Sequence, residues 1–362
     1  MTEAKKYNNI KLFVGIGKAI VSFILIFLFV FLGYSREVIT LLADYTTSPY
    51  LQFLLFVICI GFISSMIFFP VKYYTEYYLE HKYNLSNQTI FRWLLEDLKG
   101  LLVGGIIGLP ILLLFYYSLQ KFQELWWLPF ATLLFLVSVV LARIVPVIIM
   151  PIFYKITPLE NENLKDKILA LTKDVKINIE NVYKFDMSKN TKKANAAFAG
   201  LGKTKRIILG DTLLDKFSDD EIETVIAHEL GHYKYNHILK NIAFGTLMSY
   251  LTLFVIAQLY SFSLDWFGFD SLTDIAALPL LSLFAMLIGI ITSPINSSIS
   301  RKYEYQADEY AVKSTGKKEV FANTLEKLNE QNLGDKDPHP LVEWFFYSHP
   351  SIKNRIGFIN NV

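Results

Sequence analysis

Residues His228, Glu229, Leu230, Gly231 and His232 bring two imidazoles and a carboxylate into one short segment. On a helix, positions four apart project from the same face. His228 and His232 can therefore reach one metal ion, and Zn²⁺ suits two nitrogen ligands at this spacing. Glu229, beside the first ligand, can face the ion's open position. There it can take a proton from an attacking water and pass it to a leaving amine. That is the chemistry of a zinc metallopeptidase, with one ion per chain. The rival reading is a surface helix with two histidines. Ser218-Asp219-Asp220-Glu221, a capping-box signature just upstream, favours a defined helix instead. A purely structural site would want a fourth protein ligand, usually cysteine. The single cysteine, Cys59, lies far off in an apolar block and can form no internal disulfide.

A third ligand must come from elsewhere. Ten residues after the first histidine stands Ile238, so a metzincin-type third histidine is absent. His237 is off the helical phase and is expected to be solvated. Glu304, in the run Arg301-Lys302-Tyr303-Glu304-Tyr305-Gln306-Ala307-Asp308, is the better candidate. Asp308 is one turn further on the same face and could hydrogen-bond the outer nitrogen of a ligating histidine. Spacing alone leaves open a solvated helix on which Arg301 pairs with Glu304.

These residues sit in an unusual chain. Hydrophobic residues make up 53% of its 362 positions, with 29 Phe and 21 Tyr, and only 19% is charged. Ordinary soluble domains are about one quarter charged. The apolar residues come in long blocks, and about 20 such residues cross a bilayer core. Six blocks qualify, at about Leu12–Tyr34, Leu51–Val71, Leu101–Leu119, Leu125–Tyr154, Ile242–Phe262 and Ala276–Asn296. The first is too long for a cleaved signal peptide and reads as a retained span. The fourth carries Arg143, Pro146 and Pro151, which predict a kink or a partly re-entrant end. The expected fold is therefore mainly α, a polytopic membrane protein with six transmembrane helices and an α+β zinc-protease subdomain. A net charge of +2 is too small to suggest nucleic acid.

Four segments follow: 1–154 with four spans, 155–240 as a catalytic subdomain, 241–297 with two spans, and 298–362 with the third ligand. Lysine and arginine are plentiful in alternate connections and scarce in the others, so the positive-inside rule puts both termini and both large polar segments in the cytoplasm. Asn84, Asn87 and Asn296 match glycosylation sequons, but all fall on that side and read as chance. Within 155–240, Leu164–Lys173 reads as a helix, and Asn181–Phe185, Ala194–Gly200 and Arg206–Leu209 read as strands.

The motifs together resemble the type I CAAX prenyl endopeptidase family of integral-membrane zinc proteases. They are His228-Glu229-Leu230-Gly231-His232, Glu304-Tyr305-Gln306-Ala307-Asp308 and Ser348-His349-Pro350-Ser351. Pro70-Val71-Lys72-Tyr73-Tyr74, Pro151-Ile152-Phe153-Tyr154-Lys155-Ile156-Thr157-Pro158-Leu159 and Lys205-Arg206-Ile207-Ile208-Leu209 extend the likeness upstream. The resemblance implies His228, His232 and Glu304 on zinc, Glu229 as base and Asp308 behind a ligand. It implies that Asn195, Ala196 and Ala197 line the substrate cleft. It also implies that His349 and Arg355 face the site as donors to the developing oxyanion. The implied substrates are C-terminal CAAX-like or membrane-associated peptides, prenylated or membrane-bound. The membrane would be the plasma membrane of a prokaryote or the endoplasmic reticulum of a eukaryote. The chain departs from the eukaryotic pattern in having six spans rather than seven, and a shorter form suits a prokaryote. A second reading keeps the chemistry and makes the substrate a misfolded membrane protein. A third, from another class, is a scaffold or transporter that keeps zinc for structure alone.

Overall fold

The computed structural model describes residues 1–174, 182–200 and 206–362. Six helices are long and apolar enough to span a membrane: Glu3–Phe31, Pro49–Lys82, Ile90–Leu125, Trp127–Phe153, His237–Ser263 and Ile275–Thr315. Each matches one expected block. The protein is a mainly helical, multi-pass membrane protein. Broad apolar faces point outward, with Phe62, Leu101, Ile106, Leu247 and Ile291 among the exposed side chains. In a bilayer the lipid covers such faces, and every backbone polar group is satisfied within its own helix.

The kink expected in the fourth span takes a definite form. The helix is continuous, but Val145–Ile149 is a π-helical turn around Pro146. Proline removes one backbone donor, and a widened turn absorbs the lost bond. The sixth span does not stop at Asn296. One helix, Pro279–Thr315, runs on through Pro294 and carries Glu304 and Asp308 on its polar extension. The third-ligand segment is thus the far end of a spanning helix.

Four short strands form one sheet, β1 (Ile156–Pro158), β2 (Val182–Phe185), β3 (Ala196–Ala199) and β4 (Arg206–Gly210), in the order β1-β2-β4-β3. β2 and β4 run parallel; β1 and β3 pair antiparallel at the two edges. The expected helix is present as Glu162–Asp174. Asn181 and Lys205, at the ends of two expected motifs, lie outside the described residues. The core under the sheet joins Leu164, Ile168, Ile207, Leu209, Ile222 and Ile226 to Ala311, Val312, Phe321 and Ile359. Residues from 155–240 and from 298–362 therefore build one hydrophobic core, which is what lets two distant segments meet at one site.

Candidate active site

The histidine-bearing helix, Asp219–Lys234, begins with the capping box read from the sequence. Ser218 Oγ accepts from Glu221 N at 3.4 Å, and Glu221 Oε2 accepts from Ser218 N at 2.8 Å. Ile222, Ile226, Ala227 and Leu230 are buried in the core and fix the helix's rotation. Gly231 decides how close the next helix comes. A Cβ there would lie 2.9 Å from Ala307 Cα and 3.1 Å from Ala307 O. Only glycine allows this approach, and it brings the helix end bearing Glu304 over His228 and His232.

The three side chains converge. The His228 and His232 Nε2 atoms are 3.2 Å apart. Glu304 Oε2 is 3.4 Å from His228 Nε2, and Oε1 is 3.3 Å from His232 Nε2. One donor atom from each lies within 4.8 Å of the others. Glu304 is 3% exposed. Its Oε2 accepts no well-directed hydrogen bond, although His349 Nδ1 is only 2.8 Å away. A buried carboxylate is costly unless a positive charge faces it. Two imidazole nitrogens and this oxygen fit a tetrahedral zinc site with its fourth position open.

Both histidines are oriented from behind. His228 Nδ1 is 2.8 Å from Asp308 Oδ1, and Asp308 is fully buried. His232 Nδ1 is 3.0 Å from His237 Nδ1, whose Nε2 donates to Gln306 Oε1 at 2.9 Å. The His237 ring also stacks on Tyr303, with centroids 4.2 Å apart. This corrects the expectation that His237 is solvated: it is 1% exposed. The error lay in carrying one helical phase past Asn236. That residue is left-handed, with φ of 56°, and a new helix starts at His237. An asparagine between two helical runs was the available signal. Burial alone would lower the His228 imidazole. The carboxylates of Asp308 and Glu304 outweigh it and raise it to about 9.

The remaining expected residues divide. Arg301 does not pair with Glu304; its guanidinium donates to the carbonyls of Glu343 and Tyr347 at 3.0 and 2.7 Å. Arg355 is buried, and its Nε and Nη2 donate to the two oxygens of Asp308 at 2.9 and 2.5 Å. Its Nη1 lies 3.9 Å from Glu304 Oε2. The guanidinium thus commits its Nε and Nη2 to Asp308 and leaves Nη1 beside Glu304 at the cleft. His349 is exposed on the open side of the site, with a side chain 63% accessible. Both come from the C-terminal segment. There Ser351 caps the helix Ile352–Asn361, and Glu343 accepts from Ser351 N at 3.1 Å.

A cleft of about 410 Å³ runs past this cluster, lined by His228, Glu229, Glu304, His349 and Arg355. Of the three residues expected at a substrate cleft, Asn195 and Ala196 line this cavity and Ala197 is not among its lining residues. Successive side chains of a strand point to opposite faces, so Ala197 turns away from the face that Ala196 presents. A spanning helical bundle, a two-histidine, one-glutamate cluster with a glutamate beside it, and a cleft flanked by an edge strand define an integral-membrane metalloendopeptidase.

Comparison with known proteins narrows this class. Residues 158–362 match the model of peptidase family M48, and residues 1–155 match the model of the CAAX prenyl protease N-terminal region, described as five membrane helices. The chain belongs to peptidase family M48. It is 32% identical to the metalloprotease YhfN of Bacillus subtilis, over 98% of this chain and 84% of that protein. It is 35% identical to CAAX prenyl protease 1 of Saccharomyces cerevisiae, over 86% of this chain and 72% of that one. The crystal structure of S. mikatae Ste24p superposes with a TM-score of 0.85 at 31% identity, covering 99% of this chain and 88% of that one. Membership implies a metal cofactor and a peptide or protein substrate.

Proposed function

We propose that the chain is a zinc-dependent endopeptidase that cuts near the C-terminus of membrane-associated CAAX-like peptides from the cytoplasmic face. The observation that carries this is the convergence of His228, His232 and Glu304 on one point beside Glu229, within a cleft edged by β3. The kinship with CAAX prenyl protease 1 supports the substrate class.

His228, His232 and Glu304 would hold the ion. When bound, zinc supplies a Lewis acid that acidifies water and polarises the scissile carbonyl. Glu229 accepts the proton as water adds and delivers it to the departing amide nitrogen. His349, exposed at the mouth of the cleft beside Glu304, donates a hydrogen bond where the carbonyl oxygen gains charge. Asp308 and His237 hold the histidine rings in the tautomer that turns Nε2 inward. Arg355 keeps Asp308 ionised and in place. The open edge of β3 pairs with an extended substrate backbone.

The test is to incubate zinc-loaded protein with a farnesylated CAAX peptide and its unprenylated twin, and to map products by mass spectrometry. Release of a C-terminal fragment from the prenylated peptide alone supports the reading in full. Equal cutting of both removes prenylation from it. No cutting of either, by protein with full metal, refutes it.

A further inference from the structure

The sheet edge that borders the cleft is not open along its whole length. In an antiparallel strand, the N–H and C=O of alternate residues point to opposite sides. Thr212 Oγ1 donates to the Lys193 carbonyl at 2.7 Å, and Gly210 N donates to the Asn195 carbonyl at 2.9 Å. Residues 193 and 195 therefore face β4, and with them Ala197, opposite Ile208. Lys192, Ala194, Ala196 and Phe198 face the outer edge.

The first two of these are occupied. Gln331 Nε2 donates to the Lys192 carbonyl at 2.9 Å. Asn332 Oδ1 accepts from Ala194 N at 2.8 Å, and its Nδ2 donates to the Ala194 carbonyl at 3.1 Å. One side-chain amide thus makes both bonds that a residue of a neighbouring strand would make. Among the described residues, no strand pairs with the outer edge of β3. Among the described residues, the free run starts at Ala196.

Asn332 is held firmly in this position. It ends the helix Lys318–Gln331, and the next residue, Leu333, is left-handed with φ of 55°. A bulky residue adopts that conformation only where its surroundings impose it. Here Leu333 N donates to Glu330 O at 3.1 Å, Gly334 N donates to Asn329 O at 2.8 Å, and Asn8 Nδ2 donates to Leu333 O at 2.8 Å. Asn332 also lines the catalytic cleft, together with Ala194, Asn195, Ala196, His228 and Glu229.

We propose that Asn332 determines specificity by ending the substrate-pairing edge. An extended peptide can add beside Ala196–Ala199, but on the Ala194 side it meets a position already filled. The number of residues accepted between the cut bond and that stop is fixed, so the cleft measures one end of its substrate. This rests on the peptidase reading above. It adds a length limit at one end of the peptide.

The test compares wild type with Asn332→Ala and Asn332→Asp, all zinc-loaded and full-length. Two peptide series share one cleavable bond; one is lengthened at the amino end, the other at the carboxyl end. Cleavage is followed directly, and binding is followed in a Glu229→Gln background. Wild type should lose about tenfold in binding and in kcat/KM past a set length at one end only, the scale of the one or two hydrogen bonds at stake. Asn332→Ala should shrink that loss below about threefold, and Asn332→Asp, which keeps the acceptor for Ala194 N, should fall between. If Asn332→Ala proves too unstable to hold metal, the intermediate variant carries the comparison. The same length dependence in variant and wild type overturns the proposal, as does equal relaxation at both ends. Correct binding behaviour without any cleavage would leave the stop standing and refute the peptidase reading.

Discussion

At the scale of single residues, the site separates chemistry from metal binding. Glu229 is no ligand, so Glu229→Gln should keep its metal and lose about 10²–10⁴-fold in kcat. Activity within tenfold of wild type would show that another group moves the proton. Glu304→Ala should fall well below one metal per chain. Glu309→Ala, on the same helix but paired with Lys313 at the surface, should not. Asp308→Asn and His237→Ala should each weaken metal affinity about 10–100-fold, because each loosens the ring it supports. The pH dependence has a definite sign. Without metal, His228 keeps its proton up to about pH 9. A ligating imidazole must be neutral, so metal binding expels that proton. Apparent zinc affinity should therefore keep rising with pH, about tenfold per unit, through the range from about pH 6.5 to about pH 9. Competition with a chelator across that range checks it; a plateau above neutral pH would mean that Asp308 and Glu304 do not raise the ring.

At the scale of elements, Gly231 and the C-terminal segment place these residues. Gly231→Ala would put a methyl group 2.9 Å from Ala307 Cα. Such overpacking costs roughly 1–3 kcal/mol, and here it should also separate Glu304 from the histidines, so metal content should fall with thermal stability. Arg355→Ala leaves the fully buried Asp308 without its cation, a loss on the order of 3–5 kcal/mol for a buried pair. It should therefore lose metal. His349→Ala removes an exposed ring whose one contact with the metal cluster is Nδ1 at 2.8 Å from Glu304 Oε2; it should keep its metal and lose about 10²–10³-fold in kcat. Metal analysis of the two variants decides between these roles; full metal in Arg355→Ala would return that residue to the oxyanion. Much of this was legible beforehand. Four-residue spacing, the capping box and the six apolar blocks are local patterns, and the structure contains all of them. The partner of Arg355 was not legible, because Asp308 lies 47 residues away and only packing joins them. His237 was misread because the break at Asn236 changes helical phase without a glycine or proline to mark it.

At the scale of the whole molecule, the loops gather at two opposite ends. At one end, the N-terminal helix, the connection between the second and third spans, and the protease sheet are tied together. Lys11 and Lys193 both pair with Glu80, at 2.7 and 2.9 Å, and Asn87 Nδ2 donates to Ser188 O at 2.7 Å. Asn8 joins the same end to the C-terminal segment through Leu333. At the other end, Arg36 donates to the carbonyls of Phe267 and Gly268, and Tyr116 Oη donates to Thr273 O at 3.2 Å. The lysine-rich connections thus share one end and the lysine-poor ones the other, as alternation across a bilayer requires. By the positive-inside rule we propose that the lysine-rich end faces the cytoplasm. On a Cys59→Ser background, single cysteines at Asp44, Gln123 and Asp270 should react with an impermeant thiol reagent added to intact cells. Cysteines at Asn84, Lys193 and Lys317 should react only after permeabilisation. The two sets test both the grouping and its direction. A mixed pattern within one set would break the grouping of loops. Complete reversal would keep the fold and put the catalytic cleft outside the cell, where a peptidase could not reach cytoplasmic C-termini.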